Sequence, residues 1–434
     1  MRRYRRLVRP LLVALFLSSH AHAQPTPAED PAPRVALPAD GDVRLDIGLA
    51  EALFTRNNRA LKVAQRAIDV AASEIRRADV APNPVLSASI ANSDAGRYRP
   101  RDSDRIVRIE QMFERGGKRD LRIAVARAGE RVARLDYAEL RRSQAILMYQ
   151  AYYDLLGQQG SVEIALENAA GYTRLVDAAE RRLRAGDIAA VDVARLRVEA
   201  SRANADVGAA QAARARAQIA LAALLGVESA ASRLRIADGF PDVPEAELSS
   251  LPQRMAAAFD ARADAAASRA RVEQFEQAQR LAASQRTRDV TVGLQTERSP
   301  ALGGSVFGVS AAIPLFVFND YSGDLVRALA ERDQAAEDLT RVQAAIRSDV
   351  DQATAALGAA RARLALLTGT ALPQAQRAAQ AIEFAFERGA ATLTDLFDAR
   401  RQFAAVRLDE INARTELARA LTAWRQALKV ETNP

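Results

Sequence analysis

Ile109-Glu-Gln-Met-Phe-Glu-Arg-Gly-Gly-Lys-Arg-Asp-Leu121 aligns, at an offset of 204 residues, with Ile313-Pro-Leu-Phe-Val-Phe-Asn-Asp-Tyr-Ser-Gly-Asp-Leu325. Both stretches leave an alternating apolar pattern, cross a breaker and end at an Asp-Leu pair that opens a long helical pattern. Two further landmarks keep nearly the same spacing. Arg184-Ala-Gly186-Asp-Ile-Ala-Ala-Val-Asp192 precedes Glu387-Arg-Gly389-Ala-Ala-Thr-Leu-Thr-Asp395 by 203 residues, and Pro84-Val85-Leu86 precedes Asp289-Val290-Thr291 by 205. Three landmarks at one offset read as a duplicated unit. The repeats are expected at 44–240 and 245–430, each running helix, strand, strand, long helix, helix, turn, helix.

Outward from these landmarks, Leu86, Ala88 and Ile90 alternate with Ser87 and Ser89, and Val107, Ile109 and Phe113 with Arg108, Glu110 and Met112. The second unit repeats this with Val290, Val292 and Leu294, then Phe307, Val309, Ala311, Ile313 and Leu315. The pattern predicts strands at 85–92, 104–113, 289–297 and 305–317, forming two hairpins. Their length suits a tilted membrane strand of about 9–11 residues, and one apolar and one polar face suit lipid outside and water inside. A surface sheet packed on helices fits the same alternation. Elsewhere Ala, Arg, Leu, Glu and Gln dominate, a long-helix composition. Helical periodicity spans 47–80, 119–156, 162–183, 189–225, 252–284, 325–367, 373–386 and 393–428. The apolar positions are small and spaced by three and four, as in Val193, Leu196, Ala200, Ala203 and Val207, so these helices want helical neighbours.

The first residues set the compartment. Arg2, Arg3, Arg5, Arg6 and Arg9 precede the apolar Leu11–Leu17, and Ala21-His22-Ala23 is a small-x-small cleavage site. This predicts a signal peptide at 1–23, followed by a Pro-rich flexible leader at 24–43. Without those five arginines, 56 basic residues face 54 acidic ones, so no net basic field remains to bind nucleic acid. Both histidines, His20 and His22, lie in the expected signal peptide, and the chain has no cysteine. Thiol chemistry, disulfides, His-based acid–base catalysis and most transition-metal sites are thereby excluded. No Ser sits in a nucleophile-elbow context. The expectation is no catalytic residue, no metal ligand set and no cofactor. No later apolar run is long enough for a spanning helix.

Four strands cannot close a barrel, and an open edge cannot sit in lipid, where its backbone groups find no water. Small closed barrels need about eight strands. Membrane strands would therefore be shared among several chains, and three copies would supply twelve.

The layout, the Pro82-Asn83-Pro84 step into the first strand, the Ile313-Pro314-Leu315-Phe316 segment followed by Asn319 and Gly323, and the Gly389-x-x-x-Leu393-x-Asp395-x-x-Asp398-Ala399 turn resemble the TolC family of outer-membrane efflux ducts. The resemblance covers about residues 44 to 430. Glu114-Arg115-Gly116-Gly117-Lys118-Arg119 is similar to an element of the CzcC-like, heavy-metal branch. The resemblance implies an α+β membrane protein: a homotrimer whose twelve-stranded barrel, four strands per chain, continues into a long α-helical coiled-coil tunnel in the periplasm. It also implies docking to a periplasmic adaptor and an inner-membrane RND transporter, with outer-membrane lipid around the barrel. The expected function is a passive efflux conduit, with divalent heavy-metal cations as cargo; drug efflux or a type I secretion duct are alternatives on the same fold. A structural periplasmic coiled-coil protein is the alternative of another class, and it leaves the strands without a role.

Gly186 and Gly389 suit turns that need positive φ, at helix–turn–helix tips of the tunnel. Thr392-x-x-Asp395 resembles a capping box. Asp395 and Asp398 lie on one helix face, and the resemblance implies that they line a tunnel constriction, where crowded carboxylates raise pKa values and attract cations. The first-repeat positions are Asp192 and Arg195, which predicts an Asp398–Arg195 ion pair closing the tip. Where the family often has a tyrosine and a basic residue, this chain has Phe386 and Ala391. Gly116, Gly117, Lys118 and Arg119 lack phosphate-loop spacing; they read as the strand-to-helix turn, with Lys118 and Arg119 solvated or near lipid headgroups.

Overall fold

A computed structural model describes residues 41–92, 103–243, 262–299 and 303–428. The expected signal peptide, nearly all of the leader and the start of the helix expected at 252–284 lie outside the described residues.

The first repeat opens with β1 (Val43–Leu45), α1 (Ile47–Asn57) and α2 (Arg59–Ala78). The strands β2 (Val85–Asn92) and β3 (Ser103–Phe113) follow, then α3 (Lys118–Ala185), α4 (Ala190–Leu225) and β4 (Leu234–Ile236). The second repeat runs α5 (Ala263–Ser284), β5 (Val290–Ser299), β6 (Gly304–Ala312), α6 (Ser322–Leu366), α7 (Leu372–Glu387) and α8 (Leu393–Ala427). No described helix is long and apolar enough to cross a membrane.

The four longer strands form one antiparallel sheet in the order β2-β3-β5-β6. The two hairpins meet at β3 and β5, where Ile109 faces Leu294. Leu86 faces Ile109 on one side and Leu294 faces Val309 on the other, so an apolar row crosses the sheet. A cross-strand row of this kind fixes register, because a one-residue slip would turn it to the other face. The opposite face is polar: Arg108 donates to Gln295 Oε1 from Nε at 3.0 Å and from Nη2 at 2.8 Å. Among the described residues, β2 and β6 each have one unpaired edge.

The helices extend from one end of this sheet. At 68 residues and ~1.5 Å per residue, α3 is about 100 Å long. Sequence periodicity had divided this span at 157–161. The helix continues there because its glycines serve packing: a Cβ on Gly157 would lie 2.3 Å from Thr415 Oγ1, and one on Gly160 3.0 Å from Ile411 Cδ1. Both contacts are with α8, and glycine is the residue that lets two helix backbones approach this closely. In the second repeat the matching helix keeps a π-turn, Leu367–Ala371, ahead of Pro373. Proline lacks an N–H and collides with the carbonyl four residues back; a widened turn at Gly369 accommodates it.

Three expectations at the ends of elements are corrected. The helix expected at 47–80 breaks at Asn58, which is buried; its side chain accepts from Leu61 N at 3.1 Å and donates to Leu224 O at 3.0 Å. The strand expected at 305–317 stops at Ala312, because Pro314 cannot donate to a ladder. Val43, expected in the leader, is a buried residue of β1, which pairs in parallel with β4. Short three-residue strands carry too little alternation to be seen in sequence.

Candidate functional site

Two places carry the predicted residues: the far tip of the helices and the junction of sheet and helices. At the tip both turns use the same device. Gly186 (φ 85°) and Gly389 (φ 75°) are left-handed. Gly186 N bonds Leu183 O and Asp187 N bonds Arg182 O; Gly389 N bonds Phe386 O and Ala390 N bonds Ala385 O. These paired bonds satisfy the last carbonyls of α3 and α7. The two hairpins then share one apolar core, in which Tyr172, Val193, Leu196, Leu393, Leu396 and Phe397 are buried. A cavity of about 340 Å³ lies between the turns, lined by Asp192, Arg195, Gly389 and Thr392 among others.

The turns differ in how the next helix begins. Thr392 Oγ1 accepts from Asp395 N at 3.2 Å, while Asp395 Oδ2 accepts from Thr392 N at 3.0 Å and from its hydroxyl at 2.6 Å. This is a reciprocal capping box with Asp in the position where Glu or Gln is usual. The hydroxyl, then the backbone N–H, hold the Asp395 carboxyl below the usual carboxylate range. The matching helix α4 starts at Ala189 with no side-chain cap.

The predicted Asp398–Arg195 pair is not formed within the chain. Asp398 instead pairs with Arg401 at 2.6 Å and Arg195 with Asp192 at 3.9 Å, each three residues apart on its own helix. An i,i+3 partner is already within reach, so a partner across the turn has to compete with it. Two residues past Asp398, sequence reasoning missed Arg400. Its guanidinium pairs with Glu383 of α7 and stands 5.9 Å from the centre of the Tyr172 ring of α3. Gly171 leaves room for it: a Cβ there would lie 2.5 Å from Arg400 Nη1. A glycine facing a cation across a helix contact carries no sequence signature.

At the junction, Gly116 (φ 73°) and Gly117 (φ 68°) turn the chain from β3 into α3. Gly116 also has no room for a side chain, since a Cβ would lie 2.8 Å from Thr287 Cβ. Lys118 is neither solvated nor at a headgroup. Its side chain is 5% exposed, and Nζ donates to both oxygens of Asp289, at 2.9 and 2.8 Å. Arg115 N donates to the same carboxylate at 3.0 Å. Burial pushes the Asp289 carboxyl up, but the Lys118 ammonium and the Arg115 N–H outweigh it and hold the group below its ordinary value. Arg119 binds Asp79, from Nε to the backbone O at 2.8 Å and from Nη2 to Oδ1 at 2.7 Å. The element thus ties the first hairpin to the second repeat and to α2. Asp289 entered the sequence reading only as a repeat landmark and Asp79 not at all; neither was read as a partner of this element, because nothing in the sequence links them to residues 171 and 40 positions away.

The chain matches the outer membrane efflux protein family at residues 52–227 and again at 256–428. It belongs to that family. The two matches fall on the two repeats, and the chain is an outer-membrane channel subunit for efflux. It is 29% identical over 406 residues to the cobalt-zinc-cadmium resistance protein CzcC of Cupriavidus metallidurans, covering 92% of this chain and 93% of the relative. Its fold is that of the channel CusC (TM-score 0.73, 17% identity, 91% of this chain and 98% of the other). The outer-membrane channel OprN (0.73, 19%, 92% and 98%) and VceC of Vibrio cholerae (0.72, 18%, 88% and 95%) share it.

Proposed function

We propose that three copies of this chain close one twelve-stranded barrel in the outer membrane, and that their helices line a continuous periplasmic tunnel. The four-stranded sheet with two unpaired edges supports this reading best. Its apolar face would need lipid and its edges would need partners, and only closure with further copies supplies both. The tunnel is a passive conduit. A periplasmic adaptor and an inner-membrane RND transporter deliver cargo to its tip, and divalent heavy-metal cations are that cargo. The likeness to the cobalt-zinc-cadmium resistance protein favours this cargo over drugs or secreted polypeptides. Beyond His22 the chain has no His and no Cys, so soft-ligand selection falls to the pump and adaptor. At the tip, Asp395 and Asp398 from three chains form the carboxylate rings of a gate, with Asp192 and Arg195 on the facing hairpin.

The test is a deletion strain challenged with zinc, cobalt and cadmium beside a drug panel. Metal sensitivity restored by the cloned gene is the expected result. Sensitivity confined to drugs, or loss of a secreted polypeptide with metal tolerance intact, overturns the cargo.

A further inference from the structure

The joints between strands and helices are built from two chemistries. Within the chain, the turn that leaves β3 touches the lead into β5. Gly116 lies close against Thr287, and Lys118 and the Arg115 N–H close on Asp289. At the offsets of the duplicated unit, Ser322 stands where Lys118 stands and Pro84 where Asp289 stands. The turn that leaves β6 and the lead into β2 therefore have no such ion pair to form. Both are apolar. After β6, Leu315 is 74% exposed, Val317 72%, and Phe318 fully so. Before β2, Val80 and Val85 are each 60% exposed and flank Pro82-Asn83-Pro84. Clustered large apolar side chains in water mark an interaction surface.

The segment after β6 is a preformed strap. Phe316 packs edge-on to Tyr321 with ring centres 5.2 Å apart, and Arg288 Cζ stands 5.2 Å from the centre of its ring. Val317 N donates to Leu315 O at 3.0 Å, and Tyr321 N, on a left-handed residue, donates to Asn319 Oδ1 at 2.9 Å. These contacts fix Phe316 and leave Leu315, Val317 and Phe318 outward. The strap continues β6, and Val80–Pro84 leads into β2; these strands are the two outer edges of the sheet. Both segments lie at the helix end of it, beyond Ala312 on one edge and before Val85 on the other. Three strand spacings of ~4.8 Å separate the edges, about 14 Å in all, so the two segments do not meet within one chain.

Resting on the barrel reading above, which makes β6 of one copy the neighbour of β2 in the next, we propose that Leu315–Phe318 docks on the Val80–Val85 segment of the next copy. The occupant is a second copy of this chain, because it brings an apolar segment to the same height at the edge that the strap continues. Repeat equivalence supports the placement: the turn after β3 meets the lead into β5 inside the chain, and the turn after β6 meets the lead into β2 between chains. Pro82 and Pro84 suit a docked edge, since neither leaves an N–H to be satisfied. A buried ion pair thus holds the joint within a chain, and apolar burial, which salt does not screen, holds the joint between copies.

The chain has no native cysteine, so engineered disulfides report on this contact alone. Phe318→Cys is combined in turn with Pro82→Cys, Asn83→Cys and Pro84→Cys in the full-length channel, oxidised in the membrane and run on non-reducing denaturing gels. Native mass spectrometry of the purified protein counts the copies independently. A disulfide needs Cα atoms within about 7 Å, so at least one pair should give a reductant-sensitive ladder ending at three copies, and each single variant should run as one copy. V317S/F318S should lose the trimer at a temperature where the wild type keeps it, with a similar shift at about 0.1 M and about 1 M salt. Trimers by mass spectrometry with no ladder from any of the three pairs overturn the strap and leave the barrel reading standing. So does quenching by brominated phospholipid of a fluorophore attached to the Phe318→Cys variant, which would assign the strap to lipid. Single copies by mass spectrometry overturn both readings. Unshifted trimer stability in a folded V317S/F318S also overturns the strap; should that variant not fold, the cross-links decide the matter alone.

Discussion

Replacing Lys118 with methionine isolates the clamp between the repeats. The ammonium contacts both Asp289 oxygens at 2.8 and 2.9 Å, and its side chain is 5% exposed while that of Asp289 is 21% exposed. Breaking a fully buried pair by removing one partner costs about 3–5 kcal/mol, and an exposed pair contributes about 0–1. This one lies between. Without Lys118 the carboxylate keeps the Arg115 N–H at 3.0 Å and a fifth of its surface in water, which places Lys118→Met at a loss of about 2–3 kcal/mol. Asp289→Asn should cost roughly 2 kcal/mol, since the buried ammonium is then the uncompensated charge. The double variant should cost less than the sum, by about 1–2 kcal/mol. Urea unfolding of the detergent-solubilised channel, followed by circular dichroism, measures all four proteins. The pH dependence has a definite sign. Because the folded carboxyl titrates below its ordinary value, the stabilisation is complete above about 3.9, the unfolded aspartate value, and is lost as pH falls through the folded value. The gap between wild type and Lys118→Met should therefore shrink in acid. Strict additivity of the two single variants, or a gap that persists at the acid limit, would refute the clamp.

The glycines beside it separate two costs. Gly117→Ala should lose about 1–2 kcal/mol for the left-handed backbone alone, whereas Gly116→Ala adds the collision with Thr287 and should lose more; equal midpoints in the same urea assay would contradict this. At the tip, Thr392→Ala removes the cap of α8 and should cost about 1 kcal/mol, whereas a substitution at Ala189, where no cap bond exists, should leave hydrogen exchange of the first turn of α4 unchanged. In planar bilayers, Asp395→Asn with Asp398→Asn should lower cation over anion permeability a few-fold. An unchanged permeability ratio would show that these carboxylates do not line the narrowest part of the path.

What the sequence disclosed and what it hid follow one physical division. Duplication, strand alternation and long helices are local or periodic, so residues 109–121 and 313–325 announced the architecture. The tip turns were legible too, because positive φ leaves a glycine behind and a capping box leaves a Thr-x-x-Asp spacing. Long-range pairing left no such trace. Lys118 read as solvated because its partner Asp289 belongs to the other repeat, and Gly157 read as a helix break because Thr415, the reason for it, is on another helix. The Asp398–Arg195 pair shows the converse error, in which equivalence between repeats was taken as proximity. Repeat-related positions share backbone geometry, but Asp398 and Arg195 each pair with a counter-charge three residues away on its own helix. If copies of the chain meet at the tip as proposed, such a pair between them would form at the expense of the Asp398–Arg401 and Arg195–Asp192 contacts. Closing a tip would then mean exchanging local ion pairs for shared ones, two arrangements of similar energy between which a docking partner needs little free energy to choose.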